Sequence, residues 1–411
     1  MPTWEMITGT SVAENLADDV TRYFAPAGGA RRYETESNVQ GKVFTSYTWA
    51  NMFVRVTANT YTTGNTVIRS RVGGVNGNMS VTIAFGATGV FEDTVNSDAI
   101  VSGNLVNWQA VTQVNAFQSL SVSIIGSTMA DTGTNQTLAM GDGNDNTATA
   151  FGVTGFGFID GEVTPTNGWV ATETNCQYTL RRATTFSNLR VLVRFNNLNT
   201  GTTVVTFRIN AANGNQTVSI GSGVSGAFED TTNTDAVAVA DEVNYQIVVS
   251  GTSGQISTAL IQMAHTSVGR EMLTCNGNTV STTNDNYNVP EGTDQIQTTE
   301  LSTQKTARAA FTAKNLLVNI ISHGASQGVD YFLRLNTANS ALTLNVPQNT
   351  TGLFEDTTNS VSIAAADVYN YFKDHGAGAG GITLTIIGME QGPTDVIGDL
   401  PMGRLNVLLR L

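Results

Sequence analysis

The sequence has few of the residues that enzyme sites and metal sites are built from. Its 411 residues include three histidines, His265, His323 and His375, and two cysteines, Cys176 and Cys275. Their spacing matches no His-x-x-x-His, Ser/His/Asp, Cys/His or zinc pattern, and two cysteines at unrelated positions form no disulfide framework. We therefore predict free thiols, no catalytic residues, no cofactor and no enzymatic activity.

Long apolar runs and an excess of basic residues are also lacking. No run approaches the 18 or more apolar residues that a membrane-spanning helix requires, so we expect no membrane partner. The 20 Lys and Arg face 33 Asp and Glu, for a net charge of −13, which disfavours binding to nucleic-acid phosphates. The segment from Met1 to Met6 has no basic and apolar pattern of a secretory signal, so we expect synthesis in a cytoplasm and release by another route, such as cell lysis.

The sequence does contain one motif, or phrase, that occurs three times. A Gly-x-Phe-Glu-Asp-Thr segment begins at Gly89, Gly226 and Gly352, and an Asn-aromatic pair follows sixteen residues after each Phe. The Phe residues lie 137 and then 126 residues apart, and units of roughly this length match the usual size of an independent domain. We therefore predict three tandem repeats with these bounds: 1–133, 134–266 and 267–411.

Each repeat has the pattern of short antiparallel strands. Val205, Phe207 and Ile209 alternate with polar residues, as in a strand with one buried face, and similar runs recur about eight times per repeat. Two packed sheets bury such faces, so the predicted fold is all-β: three antiparallel β-sandwich domains of the jelly-roll type, about 135 residues each. The one segment with a helical pattern is Val12 to Tyr23.

Hairpin turns are predicted at Asn-Gly pairs, which suit the positive φ angles of tight turns. The pairs are Asn76-Gly77 and Asn213-Gly214, with Asn339-Ser340 in the third copy. The third copy also carries Val361 where the others carry an aspartate.

Several other positions recur in all three repeats. A Thr-Glu-x-x-x-Gln phrase supplies Glu36, Glu173 and Glu300, and a strand supplies Arg71, Arg208 and Arg334. The arginines either recognise an acidic partner or pair with the repeated glutamates. For the Phe-Glu-Asp phrase we predict a loop in which the Asp accepts hydrogen bonds from backbone amides and the Phe is buried at the end of the sandwich. These residues are Asp93, Asp230 and Asp356, with Phe91, Phe228 and Phe354. The aromatics Trp108, Tyr245 and Tyr371 fall on the apolar period, which indicates the core and not a glycan site.

One acidic segment resembles the start of a calcium-binding loop. Asp142, Asn144 and Asp145 place oxygen ligands close together, but Thr147 stands where the loop requires Gly and Val153 where it requires Glu. A plain polar turn is the favoured interpretation, and calcium binding is the alternative.

The third repeat ends in an extra segment with alternating apolar residues. Leu405, Val407, Leu409 and Leu411 predict one strand without a counterpart in the first two repeats. It either pairs with a sheet edge on a neighbouring molecule or closes an edge of its own repeat.

The order of these features resembles the jelly-roll modules of tailed-bacteriophage virion proteins, including capsid decoration proteins and head or tail fibre components. The resemblance covers almost the whole chain three times over. It implies a non-enzymatic structural protein of the virion and does not by itself distinguish head from tail. The sequence lacks the coiled-coil heptads and long β-helical repeats of fibre shafts, which favours a decoration or cement protein that coats or stabilises the head. Its implied partners are other copies of itself or the major capsid protein, in a multi-copy or trimeric assembly. The alternative is a tail or head fibre or adhesin that binds a receptor or glycan on a host surface.

Overall fold

The protein is described by a computed structural model. It covers residues 3–17, 19–29, 32–113, 118–131, 136–143, 149–159, 161–164, 169–266, 270–275, 285–293, 297–376 and 380–392. Over these residues the chain is mostly β-strand joined by turns, with single turns of 3-10 helix at Glu36–Asn38, Glu173–Asn175 and Glu300–Ser302. The all-β prediction is confirmed.

The strands fall into three similar groups. In repeat 1 they are β1 (Thr3–Ala17), β2 (Thr21–Phe24), β3 (Gly28–Gly29), β4 (Gly41–Lys42), β5 (Tyr47–Asn59), β6 (Asn65–Val72), β7 (Val75–Ala84), β8 (Gly89–Ile100), β9 (Leu105–Val111) and β10 (Ser119–Asp131). In repeat 2 they are β11 (Gln136–Gly143), β12 (Thr149–Ala150), β13 (Thr154–Gly157), β14 (Gly161–Thr164), β15 (Tyr178–Thr179), β16 (Thr184–Asn196), β17 (Thr202–Ile209), β18 (Ala212–Gly221), β19 (Gly226–Val237), β20 (Glu242–Val249) and β21 (Gln255–His265). In repeat 3 they are β22 (Arg270–Cys275), β23 (Asn286–Asn288), β24 (Gly292–Thr293), β25 (Lys305–Thr306), β26 (Phe311–His323), β27 (Val329–Leu335), β28 (Ala338–Val346), β29 (Gly352–Ile363), β30 (Val368–Asp374) and β31 (Ile382–Gly392).

Each repeat forms two facing sheets with jelly-roll connectivity. In repeat 1 the orders are β1-β10-β5-β8 and β2-β9-β6-β7, so the first strand lies beside the last and each sheet draws strands from both halves of the repeat. Repeat 2 has the orders β11-β21-β16-β19 and β13-β20-β17-β18, and repeat 3 has β22-β31-β26-β29 and β23-β30-β27-β28. The three jelly-roll sandwiches are therefore equivalent in their eight main strands.

The core of each sandwich lies between its two sheets. Trp108, Tyr245 and Tyr371 are fully buried there, as their place on the apolar period predicted. In repeat 1 the rings of Trp49 and Trp108 lie 4.4 Å apart between centroids. These aromatics belong to the core and are not available to a ligand.

The predicted domain bounds fall between strands. β10 ends at Asp131 and β11 begins at Gln136, while β21 ends at His265 and β22 begins at Arg270. The bounds at 133 and 266 remain predictions, since the repeats are also joined by contacts described below.

The helix predicted from Val12 to Tyr23 is wrong. β1 runs through Ala17 and pairs antiparallel with β10, and β2 begins at Thr21. Glu14 to Ala17 pair with β10, and β2 from Thr21 pairs with β9, so tertiary pairing overrides the local helical pattern.

The predicted turn positions are also wrong, by three residues. The tight turns with positive φ lie at Gly73-Gly74, Asn210-Ala211 and Asn336-Thr337. Gly77 lies inside β7, where the absence of a side chain makes room for the side chains of Asp98 and Ser70. A Cβ at Gly77 would come within 2.6 Å of Asp98 Oδ2 and 2.3 Å of Ser70 Oγ.

The glycine and the aspartate change together across the repeats. Gly214 faces Asp235 in the same way, with its Cβ position 2.9 Å from Asp235 Oδ2. In repeat 3 the glycine is replaced by Ser340 and the aspartate by Val361, so the close approach is not required. Repeat 3 can therefore have Ser340 in place of glycine because it has no aspartate at this position, and not because its turn differs.

We expect Gly77→Ala to destabilise the protein by about 1–3 kcal/mol, because the added methyl group overpacks a site filled by the Asp98 carboxylate. The free energy of unfolding from urea titration measures the effect. Ser340→Ala is the matched control in repeat 3, where we expect a change within about 0.5 kcal/mol. Equal effects at both positions would contradict this explanation.

Candidate functional site

Within each repeat, the recurring arginine clamps the hairpin to the 3-10 turn. Arg71 donates from Nε and Nη2 to the two carboxylate oxygens of Glu36 at 2.8 and 2.9 Å. The same guanidinium donates to the Asn76 side chain and to the carbonyl of Gly74 in the hairpin turn. Arg208 with Glu173 and Arg334 with Glu300 repeat this geometry. Of the two alternatives, the structure has the internal ion pair, so these arginines stabilise the fold.

The recurring aspartate joins the edges of the two sheets. Asp230 in β19 accepts hydrogen bonds from the backbone N–H of Thr217 in β18 at 3.0 Å, and from Thr232 and Asn233 just beyond it. Asp93 accepts from Ser80 N at 2.9 Å, and Asp356 from Thr343 N at 3.1 Å. The aspartate lies on the edge strand of one sheet and accepts a hydrogen bond from a backbone N–H on the edge strand of the facing sheet. This bond joins the two sheets at one corner of the sandwich.

The pKa of Asp230 reflects this environment. Burial by itself raises the pKa, but the hydrogen bonds from the Asn233 side chain and from the backbone of Thr217, Asn233 and Thr232 outweigh burial. The pKa is therefore held well below its usual range, and hydrogen bonds lower the pKa of Asp93 and Asp356 in the same way.

The prediction of a buried loop Phe needs two corrections. The Phe-Glu-Asp phrase lies within β8, β19 and β29, because its backbone pairs with β5, β16 and β26. Phe91, Phe228 and Phe354 are half-buried and pack against the margin of each core, since an edge strand leaves one side of the ring open. They do occupy equivalent positions.

The glutamate of each Phe-Glu-Asp phrase contacts a neighbouring repeat. Glu229 of repeat 2 forms an ion pair with Lys42 of repeat 1, with 2.6 Å between Oε2 and Nζ. The corresponding pairs at the other two junctions are Glu355 with Arg181, and Glu92 with Arg308. Repeat 2 thus binds repeat 1, repeat 3 binds repeat 2, and repeat 1 binds repeat 3.

The cation in each pair comes from the same region of its repeat. Arg181 and Arg308 both lie four residues after the Gln of the Thr-Glu-x-x-x-Gln phrase, where repeat 1 has Phe44. Lys42, two residues earlier, supplies the cation there. The two phrases that recur in the sequence are therefore the two sides of one recurring interface.

Hydrogen bonds from side chains to main-chain carbonyls follow the same cyclic order. The Arg55 guanidinium in β5 donates to the carbonyl of Gln304 at 2.7 Å, and Arg190 in β16 donates to the carbonyl of Gln40 at 3.2 Å. Asn319 in β26, equivalent to Arg55, donates to the carbonyl of Thr174 at 3.1 Å.

The hydrophobic cores also extend across the junctions. The core cluster of each repeat also contains buried residues from the following repeat in the ring. These residues lie in the sheets that contain β1, β11 or β22. Repeat 1 receives Leu192, Ala259 and Leu260, repeat 2 receives Leu317 and Ile386, and repeat 3 receives Ile7, Phe53 and Ile124. Because apolar residues are buried at all three junctions, the repeats pack into one body and are not independent domains in a row.

The ring closes between repeats 3 and 1. The short strand β24 pairs in parallel with both β22 and β1, through Thr293 and Thr10 in the second case, which joins the sheets of the two repeats. β3, β14 and β24 contact one another, so they mark the pseudo-three-fold axis. Gly292 has φ +128° and its Cβ position lies 2.1 Å from the carbonyl oxygen of Gly9, so this crossing requires glycine.

The third junction (repeats 3 and 1) has a further anchor. Lys305 is fully buried, with Nζ 4.6 Å from the ring centroid of Phe53 and 2.6 Å from the carbonyl of Thr306. A Cβ at Gly126 would lie 2.6 Å from Lys305 Cε, so β10 needs glycine where the lysine enters.

Two predicted sites cannot be placed in full. Asp142 lies in β11, where its backbone pairs with Leu260, but Asn144 and Asp145 lie outside the described residues. The C-terminal segment with Leu405, Val407, Leu409 and Leu411 also lies outside them. Where the chain is described, no group of three His, Cys, Asp or Glu side chains is arranged to hold a metal ion. Within the same ranges no helix is long and apolar enough to cross a membrane.

No protein-family model matches the chain, and no curated protein matches it. The function is therefore argued from the architecture.

Proposed function

We propose that the protein is a non-enzymatic structural component of a tailed-phage virion, namely a decoration or cement protein on the capsid. The observation that carries the proposal is the closed ring of three equivalent jelly rolls in one chain. A head-to-tail interface that closes after three copies has the geometry of a homotrimer. One chain of this shape can occupy a three-fold or quasi-three-fold position of an icosahedral shell.

The construction of the ring suits a particle coat. Three ion-paired, apolar junctions hold the repeats in fixed relative positions, so that three similar surfaces face a shell at once. Three simultaneous weak contacts give tight binding without a large interface at any one of them. In this proposal the partners are the major capsid protein and further copies of the chain, without nucleic acid or membrane, and the location is the virion.

The alternative proposal is a fibre or adhesin that binds a host receptor or glycan. Such a protein presents aromatic side chains together at one tip. Phe85, Phe151 and Phe195 are the exposed aromatics in the described ranges, and they lie at non-equivalent positions of repeats 1 and 2. This scatter favours the capsid proposal over a repeated receptor site.

Quantitative mass spectrometry and cryo-electron microscopy of purified particles test the proposal. Virus particles from lysates that contain the chain should carry about one copy for every three shell subunits, because each chain fills a whole three-fold position. The map should place density for three sandwiches over such positions. Absence from the particles, or a few copies located on the tail, would refute the capsid role.

A further inference from the structure

Repeat 3 has basic side chains inside one end of its sandwich, where β26 and β30 end. His323 is the last residue of β26, Lys373 lies in β30, and His375 follows β30. All three side chains are buried. Two of the three histidines of the chain therefore lie in one buried place, close enough for the charge of one to affect the other.

The equivalent positions in the other two repeats hold uncharged residues. The sheet register gives these positions, because β30 pairs with β27 as β9 pairs with β6 and β20 with β17, and β26 pairs with β31 as β5 pairs with β10 and β16 with β21. The residues are Ala110, Thr112 and Asn59 in repeat 1, and Ile247, Val249 and Asn196 in repeat 2. The jelly roll therefore does not require the basic residues.

The asparagine of the other repeats fastens a loop, and the histidine of repeat 3 does not. Asn59 donates from Nδ2 to the carbonyls of Ala84 and Ala87 at 3.0 Å each, and Asn196 repeats this geometry in repeat 2. Neither ring nitrogen of His323 has a hydrogen-bond partner. The end of repeat 3 thus lacks a link that the other two repeats share.

His375 is accommodated in its neutral form. Its Nε2 donates to the carbonyl oxygen of Gly380 at 3.0 Å, and its buried Nδ1 has no partner that could accept a second proton. Burial lowers the pKa of His375, and the positive charges of Lys373 and His323 lower it further. The Gly380 carbonyl and the Asp285 carboxylate raise the pKa, but the net direction is downward.

The charged groups around His375 do not compensate a second proton on the ring. Lys373 faces it from β30 and His323 from β26, and both are basic. The loops that join β26 to β27 and β28 to β29 contain no charged residue. The carboxylates of this end lie outside the buried core: Asp285 is exposed, and Asp330 and Asp374 are half-buried.

We propose that repeat 3 is the acid-sensitive part of the ring: protonation of His375 in mild acid opens this end of its sandwich, while repeats 1 and 2 stay closed. An unfolded histidine has a pKa of about 6.5, and the folded pKa of His375 lies below that of the unfolded chain. The open form therefore binds more protons, so the packing is fully stable above about pH 6.5 and weakens as the pH falls toward the folded pKa.

The consequence reaches beyond repeat 3, because this repeat takes part in two of the three junctions of the ring. Its opening is a route by which mild acid loosens the whole molecule. The inference is independent of the proposed capsid role, since it depends only on residues within one repeat. It is also separate from the effect of the recurring aspartates, which acts in all three repeats and below about pH 4.

Hydrogen exchange of the full chain, followed by mass spectrometry at about pH 7.5 and about pH 5 and corrected for the intrinsic pH dependence of exchange, tests the proposal. The opening equilibrium of β26 and β30 should rise by about tenfold between the two conditions, as expected for one group that the folded state keeps neutral. β5 and β9 of repeat 1 are the internal control and should show no rise, since residues 1–133 contain no histidine.

Two substitutions taken from the other repeats assign the effect. His375→Val should remove most of the rise, and His323→Asn should remove a smaller part, because it deletes one neighbouring basic group. His265→Asn in repeat 2 should leave the rise in repeat 3 unchanged. Circular dichroism at neutral pH checks that the variants fold, and the comparison of repeats within the wild type needs no variant. An equal response of β30 and β9 in the wild type, or an unchanged response in folded His375→Val, overturns the proposal.

Discussion

Replacing Asp230 with Asn should lower the free energy of unfolding by about 2–4 kcal/mol. The amide keeps the shape of the carboxylate but turns one acceptor into a donor, which then faces the N–H of Thr217. The corner between β18 and β19 loses its link, and at least one buried donor is left without its acceptor. Chemical denaturation followed by circular dichroism measures the loss.

The control for this substitution is Asp241→Asn. Asp241 also accepts hydrogen bonds, from Asn210 and the backbone of Ala238, but it is only half-buried and these bonds lie at the surface. Water replaces its partners, so only a small change is expected. A similar loss at both positions would show that the aspartates matter through charge alone.

The same aspartates determine how the protein responds to acid. Their folded pKa values lie below the unfolded value, so their contribution to stability is fully present above about pH 4. It is lost as the pH falls below that value toward the folded pKa values. The wild type should therefore become steeply less stable below about pH 4, and Asp230→Asn should show a shallower slope. Parallel pH profiles for the two proteins would contradict the assignment.

The second large effect is expected at the closing junction. Glu92→Arg should destabilise the protein by about 2–3 kcal/mol, because the new cation meets Arg308 where Glu92 had been its partner. Lys305 and Arg55 lie near the same place, at 4.6 and 5.8 Å from the Phe53 ring, which adds to the repulsion.

Reversing the partner should restore the junction. The double variant Glu92→Arg with Arg308→Glu keeps opposite charges in contact and should recover all but about 1 kcal/mol of the loss. Thermal melting of the wild type, both single variants and the double variant completes the cycle. Additive losses in the double variant would show that the two side chains do not interact.

The fold was predictable because its signals are local. The alternation around Val205, Phe207 and Ile209 specifies a half-buried strand from a few residues. The repeated phrases then fix the equivalence of the three sandwiches. The pairing of Arg71 with Glu36 was one of the two alternatives for the recurring arginine. It could be proposed from the sequence because both residues recur in every repeat.

The errors have equally local causes. The segment from Val12 to Tyr23 fits a helical period, but pairing with β10 decides its conformation, and no local pattern reports that contact. Gly77 was taken for a turn residue, although it makes room for Asp98 from a strand 21 residues further on. The half-exposed Phe228 follows from the edge position of β19, which depends on the order of the sheet.

The ring was missed because its contacts join distant parts of the chain. Lys42 and Glu229 are separated by 187 residues, and an isolated Glu in a strand looks like an ordinary surface residue. One signal was present: the glutamate recurs beside the aspartate in all three copies, and the aspartate alone explains the corner of the sandwich. A recurring charge without a function inside its own repeat indicates an interface between repeats.

The closed ring is tested most directly by small-angle X-ray scattering from the full chain in dilute solution. A single compact body of this length has a radius of gyration of about 22 Å, and three sandwiches in an open row would give about 30 Å or more. We expect a value near the lower figure for the wild type. A value near the upper figure would show that repeats 3 and 1 do not meet, and would contradict the ring.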